Sequence, residues 1–93
     1  MKIQIPTPLR AYADKQASVT VAGSTVGEAL GDLVRRYQEL RHHLYTETGT
    51  LRAFVNVYVN DEDIRYLEKE RTPLKDGDVL YIVPSVAGGR AED

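Results

Sequence analysis

The run Val79-Leu80-Tyr81-Ile82-Val83 limits this chain more than any other feature. It is almost wholly apolar, as expected of a strand at the centre of a sheet. Pro84 follows it and stops it, because proline has no N–H to give to a sheet ladder. A central strand needs a neighbouring strand on each side.

Three segments fit that need. Lys2-Ile3-Gln4-Ile5 alternates polar and apolar residues, the period of a half-buried strand, and Pro6 and Pro8 end it. Ser18-Val19-Thr20-Val21 alternates again and is rich in β-branched residues. Phe54-Val55-Asn56-Val57-Tyr58-Val59 is the strongest strand, with the three valines on one face and Phe54, Asn56 and Tyr58 on the other. Pro6 to Gln16 reads as a polar, turn-like hairpin connection, and Ile64 to Leu67 as a short strand after an Asn60-Asp61 turn.

One segment has the helical period. Val26, Ala29, Leu30, Leu33, Val34, Tyr37 and Leu40 share a face, and Thr25 with Glu28 forms a capping-box pattern in front of them. Gly27 and Gly31 lie on one side of this helix. They are either tolerated, at about 1 kcal/mol each, or placed for a close approach of backbone. Arg41 to Thr50 reads as helix end plus loop. The order strand, strand, helix, strand, short strand, strand predicts an α+β domain, with one main helix on a mixed sheet of four to five strands. The first and last strands are both apolar and are expected near the sheet centre.

At 93 residues the chain has room for one core, and we assign residues 1–84 to it. A formal net charge of −2 lacks the basic surplus of a nucleic-acid binder. The absence of cysteine excludes disulfides, thiolate metal sites and thiol nucleophiles. No apolar run reaches the length of a membrane span and no signal peptide is recognisable, so a cytoplasmic location is expected.

Few residues suggest catalysis. His42 and His43 are sequence neighbours that cannot share a helix face, and a helix C-terminus favours histidine on electrostatic grounds alone. Asp61-Glu62-Asp63 lacks the glycine and distal glutamate of a calcium loop and reads as a solvated turn. No phosphate-binding loop, dinucleotide fingerprint or nucleophile elbow occurs. We expect no enzyme, no metal site and no cofactor bound by this chain.

Beyond Pro84 come Ser85-Val86-Ala87-Gly88-Gly89, then Arg90-Ala91-Glu92-Asp93. Residues 85–89 reach roughly 17 Å when extended. Two glycines can enter a channel too narrow for any Cβ. An inert end is the competing reading.

The element order, the Pro84–Gly89 ending and the stretch Phe54-Val55-Asn56-Val57-Tyr58-Val59-Asn60-Asp61-Glu62-Asp63-Ile64-Arg65 resemble the ubiquitin-like β-grasp sulfur carriers, the MoaD/ThiS group. Within it they look most similar to the CysO-type carriers of cysteine biosynthesis. The resemblance implies a β-grasp fold and a carrier rather than an enzyme. It also implies that an E1-like enzyme, using ATP and Mg, adenylates a C-terminal Gly89, and that sulfur then replaces AMP to give a thiocarboxylate. Gly88, Ala87 and Val86 would thread into partner enzymes. A PLP-dependent cysteine synthase would hold the acceptor, and a JAMM-type metallohydrolase would release cysteine.

Here Gly89 is followed by Arg90–Asp93, so its carbonyl is an amide and cannot be adenylated. We therefore expect cleavage between Gly89 and Arg90, taking the side-chain charge from −2 to −1. Strand alternation places Phe54, Tyr58, Tyr81 and Val83 on the open side of the sheet as a partner-binding patch. The alternatives are a molybdopterin synthase small subunit, a thiamin sulfur carrier, a ubiquitin-like protein modifier, and an interaction domain with an inert tail.

Overall fold

The structure, a computed structural model, describes residues 1–84. The expected tail, residues 85–89, and the extension, residues 90–93, fall outside the described part. The elements run β1 (Lys2–Gln4), a 3-10 helix (Thr7–Tyr12), β2 (Ser18–Thr20), α1 (Val26–Arg36), α2 (Gln38–Leu44), β3 (Val55–Val59), β4 (Glu62–Asp63), 3-10 turns at Ile64–Tyr66 and Lys69–Arg71, and β5 (Val79–Pro84).

These strands form one mixed sheet in the order β2-β1-β5-β3-β4. β1 runs parallel to β5, with Ile3 opposite Leu80, while β3 runs antiparallel to it, with Val57 opposite Ile82. β5 is thus the middle strand, as its apolar run requires. Pro84 belongs to this strand, where it pairs with Val55, rather than ending the strand before it. A proline is tolerated there because it sits at the last ladder position.

Ile3, Val19, Val57, Leu80 and Ile82 leave one face of the sheet and meet Val26, Ala29, Leu30, Leu33 and Val34 of α1, all buried. The expected two-layer α+β architecture is present. At the start of α1, Thr25 Oγ1 accepts the Glu28 backbone N–H at 3.2 Å. The return half of the capping box differs. The Glu28 carboxylate accepts the backbone N–H and the hydroxyl of Ser24, both at 2.8 Å, one residue ahead of the cap.

The two glycines of α1 separate. A Cβ on Gly27 would lie 3.1 Å from the Glu70 carbonyl oxygen, so this position lets the Lys69–Arg71 turn approach. A Cβ on Gly31 would meet nothing within 4 Å.

Three local expectations are corrected. The helix does not fray after Leu40. It breaks at Tyr37, where φ is −124° and ψ is 80°, and resumes through Leu44. The break redirects the chain so that Leu40 and Leu44 are both fully buried beside the Thr7–Tyr12 helix. That 3-10 helix replaces the plain hairpin connection, and its Leu9 and the following Ala13 enter the core. Ile64 to Leu67 is not a strand. Asp63 caps a 3-10 turn by accepting the Arg65 backbone N–H at 2.9 Å, and the turn buries Ile64.

Candidate functional site

Among the described residues no helix covers the face of the sheet turned away from α1. Along β5 the burial alternates, with Leu80 and Ile82 inside and Tyr81 and Val83 exposed at 40% and 43%. Along β3 the three valines are buried, while Asn56 and Tyr58 are half-buried. The register sets Tyr58 opposite Tyr81 and Asn56 opposite Val83. Side chains directly opposite on neighbouring strands touch, so each pair forms part of one surface. Tyr58, Tyr81 and Val83 line a shallow open concavity with Asn60 and Asp61. Phe54 is 46% exposed but sits in the turn before β3 and does not line that concavity. Of the four patch residues expected from the sequence, the structure therefore gathers three and leaves Phe54 at the strand end, beside the Val55–Pro84 pair.

The polar edge of this face holds residues that sequence reasoning did not single out. Asp63 is only 7% exposed, so the solvated-turn reading holds for Asp61 and Glu62 but fails for Asp63. Its carboxylate accepts from Arg65 Nε at 3.2 and 3.3 Å and from Arg65 Nη2 at 2.8 Å. The same Nη2 donates to Asn56 Oδ1 at 2.6 Å. Hydrogen bonding by Arg65 holds the Asp63 carboxyl below the ordinary aspartate range despite its burial, and Asp63 in turn raises Arg65. A buried carboxylate is tolerated when it is paired and hydrogen-bonded in this way. The spacing Asp63-x-Arg65 was visible in the sequence. The register that brings Asn56 to it was not.

At the far end of the same face, Asn60 adopts a left-handed conformation, φ 55°, in the two-residue turn between β3 and β4. Its side chain donates to Asp78 Oδ1 at 3.1 Å and accepts the Val79 backbone N–H at 3.2 Å. This fixes the start of β5.

The histidines have structural partners. His43 stacks on Tyr12 with ring centroids 4.2 Å apart. The His42 carbonyl accepts from Arg52 Nε at 3.0 Å. Among the described residues no group of three His, Asp or Glu side chains could hold a metal ion, and no helix is long and apolar enough to cross a membrane. A larger cleft lies on the other side of β3, between residues 50–53 and 63–70. Its walls include the inward-facing Val55 and Val57, and we assign it no role in the function. Gly89, Gly88, Ala87, Val86 and Arg90 lie outside the described residues.

Residues 3–89 match the ThiS family. The chain belongs to that family. This ThiS-family chain is 42% identical, over 94% of its length and 96% of the relative's, to the sulfur carrier protein CysO of Mycobacterium tuberculosis. Among solved structures it superimposes on the Amycolatopsis orientalis BexX/CysO complex with a TM-score of 0.85 and 42% identity, covering 95% of this chain and 98% of that one. It also matches the small archaeal modifier protein 1 of Methanosarcina acetivorans, with a TM-score of 0.84 and 30% identity over 95% and 94% of the two chains. The β-grasp fold expected from the sequence is the fold of these proteins. The CysO relatives are sulfur carrier proteins.

Proposed function

We propose that this chain is a sulfur carrier whose acyl terminus is Gly89. A protease removes residues 90–93 and frees the Gly89 carboxylate. An E1-like enzyme adenylates that carboxylate with ATP and Mg. Sulfur then displaces AMP and leaves a thiocarboxylate. A carboxylate is a poor acyl donor, and the mixed anhydride with AMP supplies the leaving group. The chain contributes no catalytic side chain, in keeping with its lack of cysteine and of a nucleophile–base pair.

One observation carries this reading. The family match stops at residue 89, the second glycine, four residues before the end of the sequence. The strand that leads to this glycine is the middle strand of the sheet, and exposed Tyr81 and Val83 flank its exit. The body thus supports both a docking face and the base of the tail.

The likeness to CysO favours cysteine biosynthesis as the destination of the sulfur. The partners in that reading are the E1-like enzyme, a PLP-dependent cysteine synthase that presents the acceptor, and a JAMM-type metallohydrolase. The deciding experiment is intact-mass analysis of the protein from its native cells. The expected species ends at Gly89 and is heavier than the plain acid by the difference between one sulfur and one oxygen. A cellular protein that always retains Asp93 overturns the reading.

The likeness to small archaeal modifier protein 1 favours a second reading, attachment of Gly89 to lysines of other proteins. Isopeptide-linked conjugates in the same cell extract would support it.

A further inference from the structure

The stretch that ends in Asp63-Ile64-Arg65 includes a cation that the carrier reading leaves without a role. We propose that Arg65 is a pre-set anchor at the β4 edge of the sheet, which takes a carboxylate from the surface of the adenylating enzyme. The proposal rests on the carrier reading and names the chemistry of the partner surface.

The geometry is asymmetric. The acid of the pair is hidden, with the Asp63 side chain 7% exposed, while the Arg65 side chain is 58% exposed. Asp63 and Asn56 occupy Nε and Nη2, and among the described residues nothing bonds Nη1. The guanidinium is therefore clamped along one edge and open along another. A free arginine side chain gives up rotamer freedom when it is held. The body has already restricted this one, so a carboxylate that docks on Nη1 meets less of that cost. Planar forks of this kind suit carboxylates, and arginine is enriched among residues that dominate interfaces.

Its position gives the contact a purpose. Asn56, which holds Nη2, stands opposite Val83, next to the Val55–Pro84 pair at the exit of β5. Arg65 lines the cleft on the other side of β3 and is tied through Asn56 to the tail-proximal end of the patch made by Tyr58, Tyr81 and Val83. Asp61 lines the opposite end. A partner with an acidic group beside the mouth of the channel that receives residues 85–89 would fit in one direction along the strands and be repelled in the other.

The test uses the chain ending at Gly89, which keeps every described residue. ATP–pyrophosphate exchange by the E1-like adenylating enzyme of the same genome, with ATP, Mg and labelled pyrophosphate, is followed against carrier concentration at low and high salt. Arg65→Met is expected to raise KM for the carrier about tenfold with kcat little changed and to flatten the salt dependence. Arg65→Lys should fall between it and wild type. Thermal melting and amide NMR spectra report folding. If Arg65→Met unfolds because Asp63 is orphaned, the double variant Asp63→Ala/Arg65→Met removes both charges and should show the same KM effect.

A folded Arg65→Met or double variant with KM within about twofold of wild type overturns the proposal. Absence of any turnover with wild type is a different result and overturns the carrier reading itself, and this proposal with it.

Discussion

Tyr58 of β3 stands directly opposite Tyr81 of β5, on the face of the sheet turned away from α1. Aromatic pairs in this arrangement normally stabilise a sheet by a few tenths to 1 kcal/mol. Here one member is 40% exposed, so much of its apolar surface still faces water. The double variant Tyr81→Ala/Phe54→Ala should leave the fold intact and lower stability by no more than about 1 kcal/mol. Its affinity for the adenylating enzyme should drop by more than about tenfold, measured by titration calorimetry. Unchanged affinity would remove the patch from the docking surface.

The glycines of α1 should respond in opposite ways. Gly31→Ala adds a Cβ into open space and should stabilise the protein by up to about 1 kcal/mol in urea unfolding. Gly27→Ala sets a Cβ 3.1 Å from the Glu70 carbonyl oxygen, so the helix gain is offset by displacement of the Lys69–Arg71 turn. It should show no gain. Equal stabilisation at both sites would mean the turn does not pack against α1 as described.

Acid should weaken the fold through Asp63. Its carboxyl lies below the ordinary aspartate value of about 4, chiefly because Arg65 hydrogen-bonds it. A depressed acid stabilises fully above the unfolded-state value. That contribution disappears as pH falls from there through the folded-state value. Urea midpoints measured from neutral pH down to pH 2 should therefore fall on the acid side. The decline should be shallower in Asp63→Asn, which has no carboxylate to protonate. An identical acid limb in the two proteins would contradict the pairing.

Leu33 is fully buried at the middle of the contact between α1 and the sheet. Leu33→Ala should cost about 2–5 kcal/mol, a large share of the roughly 5–15 kcal/mol that holds a small domain together. Chemical denaturation should show the midpoint displaced accordingly. A loss below about 1 kcal/mol would mean that the layer packs less tightly than its burial indicates.

The sheet and main helix were legible because their signals are local and periodic. The apolar run at Val79–Val83 demanded a central strand, and Leu80 and Ile82 do face α1. The helical spacing from Val26 onward placed its buried face correctly. The errors fall where tertiary packing decides. Leu44 continues the helical spacing four residues after Leu40, but the polar residues between them favoured a loop reading. Leu9 and Ala13 are too few apolar positions to announce a 3-10 helix, and only the core they enter explains them.

The site was legible to the same degree. Alternation identified Tyr81 and Val83 as exposed, since alternate residues of a strand face opposite ways. It did not show that Phe54 lies in a turn. Composition marked Asp63 as one of three solvated acids. Its burial depends on an arginine two residues later and an asparagine on the neighbouring strand. No local pattern reveals such a pairing before the strand register is known.

The place of β5 between a parallel and an antiparallel neighbour has a mechanical consequence. Tension applied beyond Pro84 by any machine that grips the tail runs along the strand axis. It loads both ladders in shear, many bonds together, instead of peeling them singly from a sheet edge. A tail grown from β2 or β4 would have one such ladder to resist the same pull, where β5 has two.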